Sequence, residues 1–448
     1  MPVIRLEKPN LSRIDERAVF EKFAKNRKNY LAFVEKVNSP EYFYWKEFKH
    51  KERPSGLSAE EFWVVTKLIR DARSSKTFIK DTSGEYFHWV KLNRFERFVN
   101  QIDMQAAGNL LIPEHQLLEI GKRKESYVVR GIIEEAIASS QLEGAHTTRA
   151  VAKKMLLEER KPRNHSEQMI LNNYEAIQKI ENEYQKKPLT REFLFELHRM
   201  LVKGTEVDDK EIGRFRTDGD GIVVGDARSG DIGHIPPKVS FMLPEIDRLL
   251  TVANDEDEGD FLHPLVKAIL LHFWIGYLHP FTDGNGRLAR AIFYWYLLRK
   301  GYWAIMYLPI STAIRNSPAQ YKDAYLRSEQ DDLDLTYFVD YNFRQVDRAI
   351  DYFRQYIAEK VDERKIINER LGVEEALNGR QRHLLYHLSA NKGGSTTIIT
   401  HQKINGISRL TARKDLYTLV RIGFLNRKKV GKVIHFMPTE KTVSIFRG

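Results

Sequence analysis

Apolar positions recur at helical spacing along most of the chain, and two segments dominate the pattern. Residues 265–278 and 288–298 are apolar on nearly every side, which predicts two helices buried in a core and joined by a short polar loop. Residues 126–138 form another helical run, followed by SSQLEG, in which Gly144 suits the position just past a helix end. Residues 42–70 are rich in aromatics and break at Pro54 before a helix capped near Ser58, so their rings read as core. Residues 335–360 read as one more helical run. Strand signals are few. Residues 219–225 and 230–237 flank the turn-forming residues 226–229, a hairpin candidate that would be marginal without a partner or a task. Near the C-terminus, helices at 380–390, 401–404 and 408–422 precede strands at 424–429 and 433–437, joined through Val430, Gly431 and Lys432. Ser408 caps the third of these helices, Gly423 stops it, and Leu410, Leu416 and Leu419 are expected to pack inward. The fold class is mainly α.

Composition narrows the setting. A chain of 448 residues predicts two or three domains. It contains no cysteine, which excludes disulfides and thiolate chemistry and points to a cytoplasmic setting. Residues 1–10 lack the apolar core of a signal peptide, and no uncharged apolar run reaches 18 residues, so no membrane partner is expected. Repeats, low-complexity tracts, a P-loop and zinc-ligand spacing are not evident; residues 254–260 read as an acidic, exposed loop. Charge is uneven. From residue 379 onward fourteen Lys and Arg face only Asp415 and Glu440, a net +12 that leaves −1 for the rest of the chain.

The loop between the two apolar helices reads HPFTDGNGRLAR, from His279 to Arg290. Gly284 and Gly286 allow a tight turn in which backbone N–H groups converge on an anion, and the next helix adds its own unpaired N–H groups. Arg287 and Arg290, three apart, share a helix face; Asp283 is placed to hold a divalent cation; His279 is an available base near pH 7. Each piece alone fits an ordinary turn between helices, but turn chemistry does not select the base, the carboxylate and both arginines together.

This string resembles the active-site motif of the Fic (filamentation induced by cAMP) family, whose members mostly transfer AMP from ATP to a protein hydroxyl, and the resemblance extends over roughly residues 110–350. It implies that His279 is the catalytic base, that Phe281 anchors the loop, and that Asp283 binds Mg²⁺. It further implies that Gly284, Asn285 and Gly286 cradle the phosphates of ATP, with Arg287 on the β-phosphate and Arg290 on the γ-phosphate. Ser139, Glu143 and Gly144 resemble the family's inhibitory helix motif, with Glu143 expected to occupy Arg290; the alternative is a solvated Glu before a helix-ending Gly. The hairpin resembles the family's flap, with Ile222, Val223 and Val224 bordering the target segment and Gly213, Arg214 and Arg216 leading in; the alternative is a surface hairpin without a role.

The basic tail resembles a winged helix-turn-helix. Ser408, Arg409, Thr411, Arg413 and Lys414 would face double-stranded DNA, with Lys428, Lys429 and Lys432 in the wing; docking of a protein is the alternative. The expected organisation is an N-terminal helical domain over 1–110, a Fic helical fold with its flap over 111–350, a helical linker over 351–378 and a winged helix over 379–448. The expected function is autoinhibited protein adenylylation with ATP and Mg²⁺ on a protein substrate, the chain itself included, with a homodimer compatible. AMP removal and a nucleotide-sensing DNA-binding regulator are the alternatives.

Overall fold

The computed structural model describes residues 2–106, 114–225, 230–256, 261–371, 377–390 and 394–447. The N-terminal part holds α1 (Glu16–Lys25), α2 (Arg27–Asn38), α3 (Trp45–Phe48) and α4 (Ala59–Ala72). Asp15 caps α1, and Ser58 with Glu61 closes a capping box at α4, so side chains satisfy N–H groups that these helix starts leave open. The expectation of a purely helical segment needs one correction. Strands β1 (Ser74–Lys80) and β2 (Tyr86–Val90) form an antiparallel hairpin before α5 (Asn93–Ala106). Its signal is a period of two, with Thr77 and Ile79 on β1 and Phe87 and Trp89 on β2 turned inward.

Phe87 packs edge-on against Phe273 and Tyr277, ring centroids 5.3 and 5.4 Å apart, which seats the hairpin on α11 (Pro264–Leu278). One cluster of buried apolar side chains runs from Val19 to Ile357, so the segment before residue 110 shares its core with the segment after it. The boundary expected at 110 lies outside the described residues.

The region around the His279–Arg290 loop is built from α6 (Glu114–Leu142), α7 (Arg149–Glu158), α8 (His165–Asn182), α9 (Arg191–Val202) and α10 (Val239–Ala253) around α11 and α12 (Asn285–Arg299). Both α11 and α12 are buried on almost every side, as their uninterrupted apolar character demands. The flap is smaller than expected: β3 spans only Val224–Gly225 and pairs with β4 (Ile232–His234). Ile222 and Val223 precede the strand, because a 3₁₀ turn at Asp218–Asp220 and Gly221 at φ +60° use up the chain before it. The expected turn at 226–229 lies outside the described residues. The outer edge of β4 is covered by the chain's own start, with Ile4 N–H on the Ile232 carbonyl at 2.8 Å and Ile232 N–H on the Pro2 carbonyl at 2.9 Å.

After α13 (Ile310–Arg315) and α14 (Pro318–Gln330), α15 (Thr336–Leu371) runs unbroken for 36 residues, about 54 Å at 1.5 Å per residue. The expected linker therefore begins as the second half of this helix. Beyond it lie α16 (Gly379–Ala390), α17 (Ile398–Asn405), α18 (Arg409–Arg421), the antiparallel pair β5 (Leu425–Val430) and β6 (Val433–Pro438), and α19 (Glu440–Arg447), which sequence reading did not anticipate. Ile367 and Leu371 of α15 enter the core of this tail beside Leu385, Leu416, Leu419 and Phe436. Buried Asp415 accepts from Arg380 Nε (2.8 Å) and Asn378 Nδ2 (2.9 Å) and lies 3.2 Å from His401 Nε2, tying α16, α17 and α18 together. Leu410 corrects an expectation: it is 79% exposed, on the opposite side of α18 from Leu416 and Leu419. Helical phase sets it apart from them: it belongs to the first turn, beside the exposed Arg409 and Arg413.

Candidate active site

The loop from His279 to Gly284 owes its shape to a few residues that cannot be exchanged freely. His279 ends α11 in the left-handed region at φ +48°, and Gly284 at φ +81° starts α12 with no side chain capping it. The opening N–H groups of α12 are therefore available to an anion. Asn285 closes the loop from within: its carboxamide accepts from the Phe281 N–H at 2.9 Å and donates to the Phe281 carbonyl at 2.8 Å. Phe281 is fully buried and stacks on His198, ring centroids 3.9 Å apart. His198 in turn accepts from the Gly213 N–H at 2.9 Å and contacts the Asp283 carbonyl at 3.1 Å. Arg216 braces the loop's start by donating to the His279 carbonyl at 2.7 Å.

A cavity of about 330 Å³ opens beside this loop, lined among others by Glu143, Val224, His279, Gly286, Arg290 and Tyr321. Nδ1 of His279 faces the Gly276 carbonyl at 3.3 Å; a carbonyl only accepts, so Nδ1 carries the proton and the lone pair lies on Nε2. Burial, reinforced by the nearby His234, pushes the His279 pKa down to about 4. The imidazole is thus neutral at pH 7. Burial alone would also lower His234, but Glu329, 2.6 Å from Nδ1, holds it above the usual histidine value.

Ser139 and Glu143 converge on one guanidinium. Arg290 donates from Nε to Ser139 Oγ (2.8 Å) and from Nη2 to the Ser139 carbonyl (2.9 Å) and to Glu143 Oε1 (2.8 Å). Gly144, at φ +93°, ends α6, with Ala145 N–H returning to the Ser140 carbonyl at 3.0 Å. That turn aims the Glu143 carboxylate over Gly286, where any Cβ would collide with it. Deeper in α6, Glu135 accepts from the Ser311 N–H (2.9 Å) and the Tyr294 hydroxyl (2.8 Å), which fixes the helix against α12 and α13.

Not every expected residue faces the cavity. Gly286 and Arg290 line it, but Asn285 is turned inward as a loop staple. Arg287 is likewise buried, donating to the Leu201 carbonyl at 2.8 Å and to Asp283 Oδ2 at 2.9 Å, so its fork braces the loop in this structure. Asp283 is about half exposed, and a single carboxylate of this kind suits magnesium, which takes most of its oxygens from phosphate and water. Of Ile222, Val223 and Val224, only Val224 reaches the cavity wall. His234, Tyr321, Tyr325 and Glu329 also line it; they come from elements remote in sequence and carry no local signal. In the tail, Arg409, Arg413, Lys414, Lys428, Lys429 and Lys432 are exposed. The Ser408 hydroxyl instead accepts from the Thr411 N–H at 3.1 Å and lies 2.9 Å from the Thr411 hydroxyl, so both serve the helix cap.

Comparison with known proteins agrees on the central region. Residues 188–297 match the model of the Fic/DOC family. The chain is 25% identical over 258 residues to the protein adenylyltransferase Fic of Culex quinquefasciatus, covering 57% of this chain and 48% of that protein. To the protein of the same name in Drosophila willistoni it is 29% identical over 265 residues, covering 58% and 48%. It thus spans about half the length of these relatives. Among solved structures, a Fic family protein from Desulfovibrio desulfuricans G20 aligns with a TM-score of 0.47 at 20% identity, covering 78% of this chain and 97% of that one. A Fic-1 segment from C. elegans aligns with a TM-score of 0.48 at 16% identity, covering 78% and 90%. Residues 188–297 thus match the Fic/DOC family, and the surrounding region is similar to proteins named protein adenylyltransferase Fic.

Proposed function

We propose that this chain transfers AMP from ATP to a hydroxyl group of a protein, and that Glu143 holds the reaction down. The observation that carries this reading is the place of the Glu143 carboxylate, against Gly286 at the start of α12 and on the Arg290 guanidinium. An ATP phosphate would need both features, the helix N–H groups and the arginine fork. Glu143 competes for them from within the chain.

In the reaction, the Nε2 lone pair of His279 takes the proton of the attacking hydroxyl as that oxygen bonds to the α-phosphorus. The bond from the α-phosphorus to the departing pyrophosphate breaks in line with the attack. Gly286 and the first turn of α12 position the phosphates, and Arg290, once released by Glu143, holds the far end of the nucleotide. Arg216, His198 and Asn285 keep the loop in shape without touching substrate. Asp283 would hold a divalent cation, which neutralises charge on the phosphates. The free edge of β3, with Val224 at the cavity, would receive the target as an added strand.

The deciding experiment is incubation with α-labelled ATP and Mg²⁺, comparing the chain as it stands with Glu143→Gly. Label on protein, increased in the variant, supports the reading; nucleotide binding without label would leave a nucleotide sensor.

A second activity is supported by a separate observation. Seven exposed cations, on the first turns of α18 and on the β5–β6 hairpin, point to a nucleic-acid phosphate backbone as a partner of the tail. We infer a winged helix that binds duplex DNA, with Lys428, Lys429 and Lys432 on phosphates.

A further inference from the structure

Linear spacing shows no zinc-ligand set in this chain, but the folded structure assembles one from two helices. His383 and His387 stand four apart on α16 and share a face, ring centroids 4.4 Å apart. Glu363 of α15 reaches between them, its Oε2 at 3.6 Å from the Nε2 of each ring. One ligand atom from each residue lies within 4.8 Å of the other two, and among the described residues this is the only such group of three.

We propose that Glu363, His383 and His387 bind a zinc-class divalent metal that clasps α15 to α16. In a tetrahedral site with metal–ligand bonds near 2.0–2.1 Å, neighbouring ligand atoms stand about 3.3–3.4 Å apart. The Glu363–histidine separations need to close by only a few tenths of an ångström, which rotamer adjustment supplies. Two imidazoles and one carboxylate suit zinc, nickel or copper and not magnesium or calcium, which take oxygen ligands. The ring of His387 is 41% exposed, so an ion can enter from solvent and keep water as a fourth ligand.

A cation already stands at this spot. Lys360 forms an ion pair with Glu363, and its Nζ is 3.4 Å from His387 Nε2. Its ammonium occupies the side of the triangle that the metal would take. A metal has to displace it, and the long, flexible lysine stem allows the head to swing into water. Lys153 of α7 adds positive charge near His387 that the site must overcome. The metal would therefore replace a weak ammonium clasp by a stronger one at the joint where the helix leaving the catalytic region meets the tail.

The test uses the full chain, stripped of metal by a chelator and titrated with Zn²⁺ against a chromophoric competitor. Cobalt serves as a second probe, since its visible absorption reports four-coordination. The expected result is one site tighter than about 1 μM that weakens at least tenfold in H383A/H387A and in Glu363→Gln, and tightens in Lys360→Gln. The histidines and Glu363 are only partly buried and lie outside the main apolar core, so these variants should fold, as circular dichroism and an unchanged size-exclusion profile would verify. Equal affinity and stoichiometry in H383A/H387A would overturn the proposal by placing the zinc elsewhere, His279 and Asp283 included. Absence of any site tighter than about 1 μM in both the native chain and Lys360→Gln would overturn it as well.

Discussion

Glu143 accepts a hydrogen bond from Arg290 at 2.8 Å across a sequence separation of 147, and the guanidinium it holds is almost wholly buried. A charge-assisted bond of this kind is worth roughly 1.5–3 kcal/mol, and a nucleotide phosphate must better it to take the arginine. Glu143→Gly should therefore increase AMP transfer by at least about tenfold and tighten ATP binding, tenfold being about 1.4 kcal/mol. Labelling by α-labelled ATP and calorimetric ATP titration read the two effects. Equal labelling and equal affinity would remove Glu143 from the proposed role.

His279 is expected to act only in its neutral form. In the Glu143→Gly background, His279→Ala should lower transfer by about 10²–10⁴-fold while the melting temperature stays unchanged. The same pKa gives a direction with pH. Burial puts it at about 4, so transfer should hold level as pH falls from 8 and decline only as it approaches 4. A decline centred near 6.5 would show that the base is a group in an ordinary, solvated setting.

Gly286→Ala separates relief of the block from use of the site. A methyl at this position meets the Glu143 carboxylate and sits close to Arg290. The flexible glutamate can yield, but the methyl then fills the space a phosphate would enter. Label transfer should stay low in Gly286→Ala even when Glu143→Gly is added. Transfer at the Glu143→Gly level in the double variant would mean that phosphates do not pass over Gly286.

Arg287 tests whether the buried fork supports the loop. It leaves no side-chain surface exposed and is bonded to the Leu201 carbonyl. Arg287→Ala should cost about 1–3 kcal/mol in the nucleotide-free protein, since that carbonyl loses its donor. Denaturant unfolding measures it. A residue that only clamps phosphate would leave stability unaltered and weaken ATP binding alone.

For the tail, gel-shift titration against duplex DNA should show log K falling by about 0.9 per phosphate contact per decade of salt. Removing Lys428 and Lys429 should weaken all sequences alike, while Arg409 and Arg413 set any sequence preference. Leu410→Asp should weaken binding too, because an exposed leucine on α18 faces whatever the arginines face. A tail that shifts no DNA at low salt would instead be a protein-docking module.

Much of this molecule was legible in one dimension. A string such as HPFTDGNGRLAR carries its own geometry, because a glycine at a left-handed position (Gly284), a helix start and two arginines three apart allow few arrangements. The same holds for α11, α12 and the helices and hairpin of the tail, where local periodicity and capping residues determine the element. Tertiary structure decided what those residues touch. Asn285 and Arg287 proved to be turned into the loop and the core, because the carbonyls of Phe281 and Leu201 needed buried donors, and nothing in the linear motif shows those carbonyls. The hairpin on α11 went unread because its alternation was short and imperfect; only Phe273 and Tyr277, far along the chain, give Phe87 a reason to turn inward. Leu410 was misplaced since helix phase depends on which side the remaining core lies. Periodicity along the chain reports how residues are spaced on one element; which element covers them is settled only when distant surfaces meet.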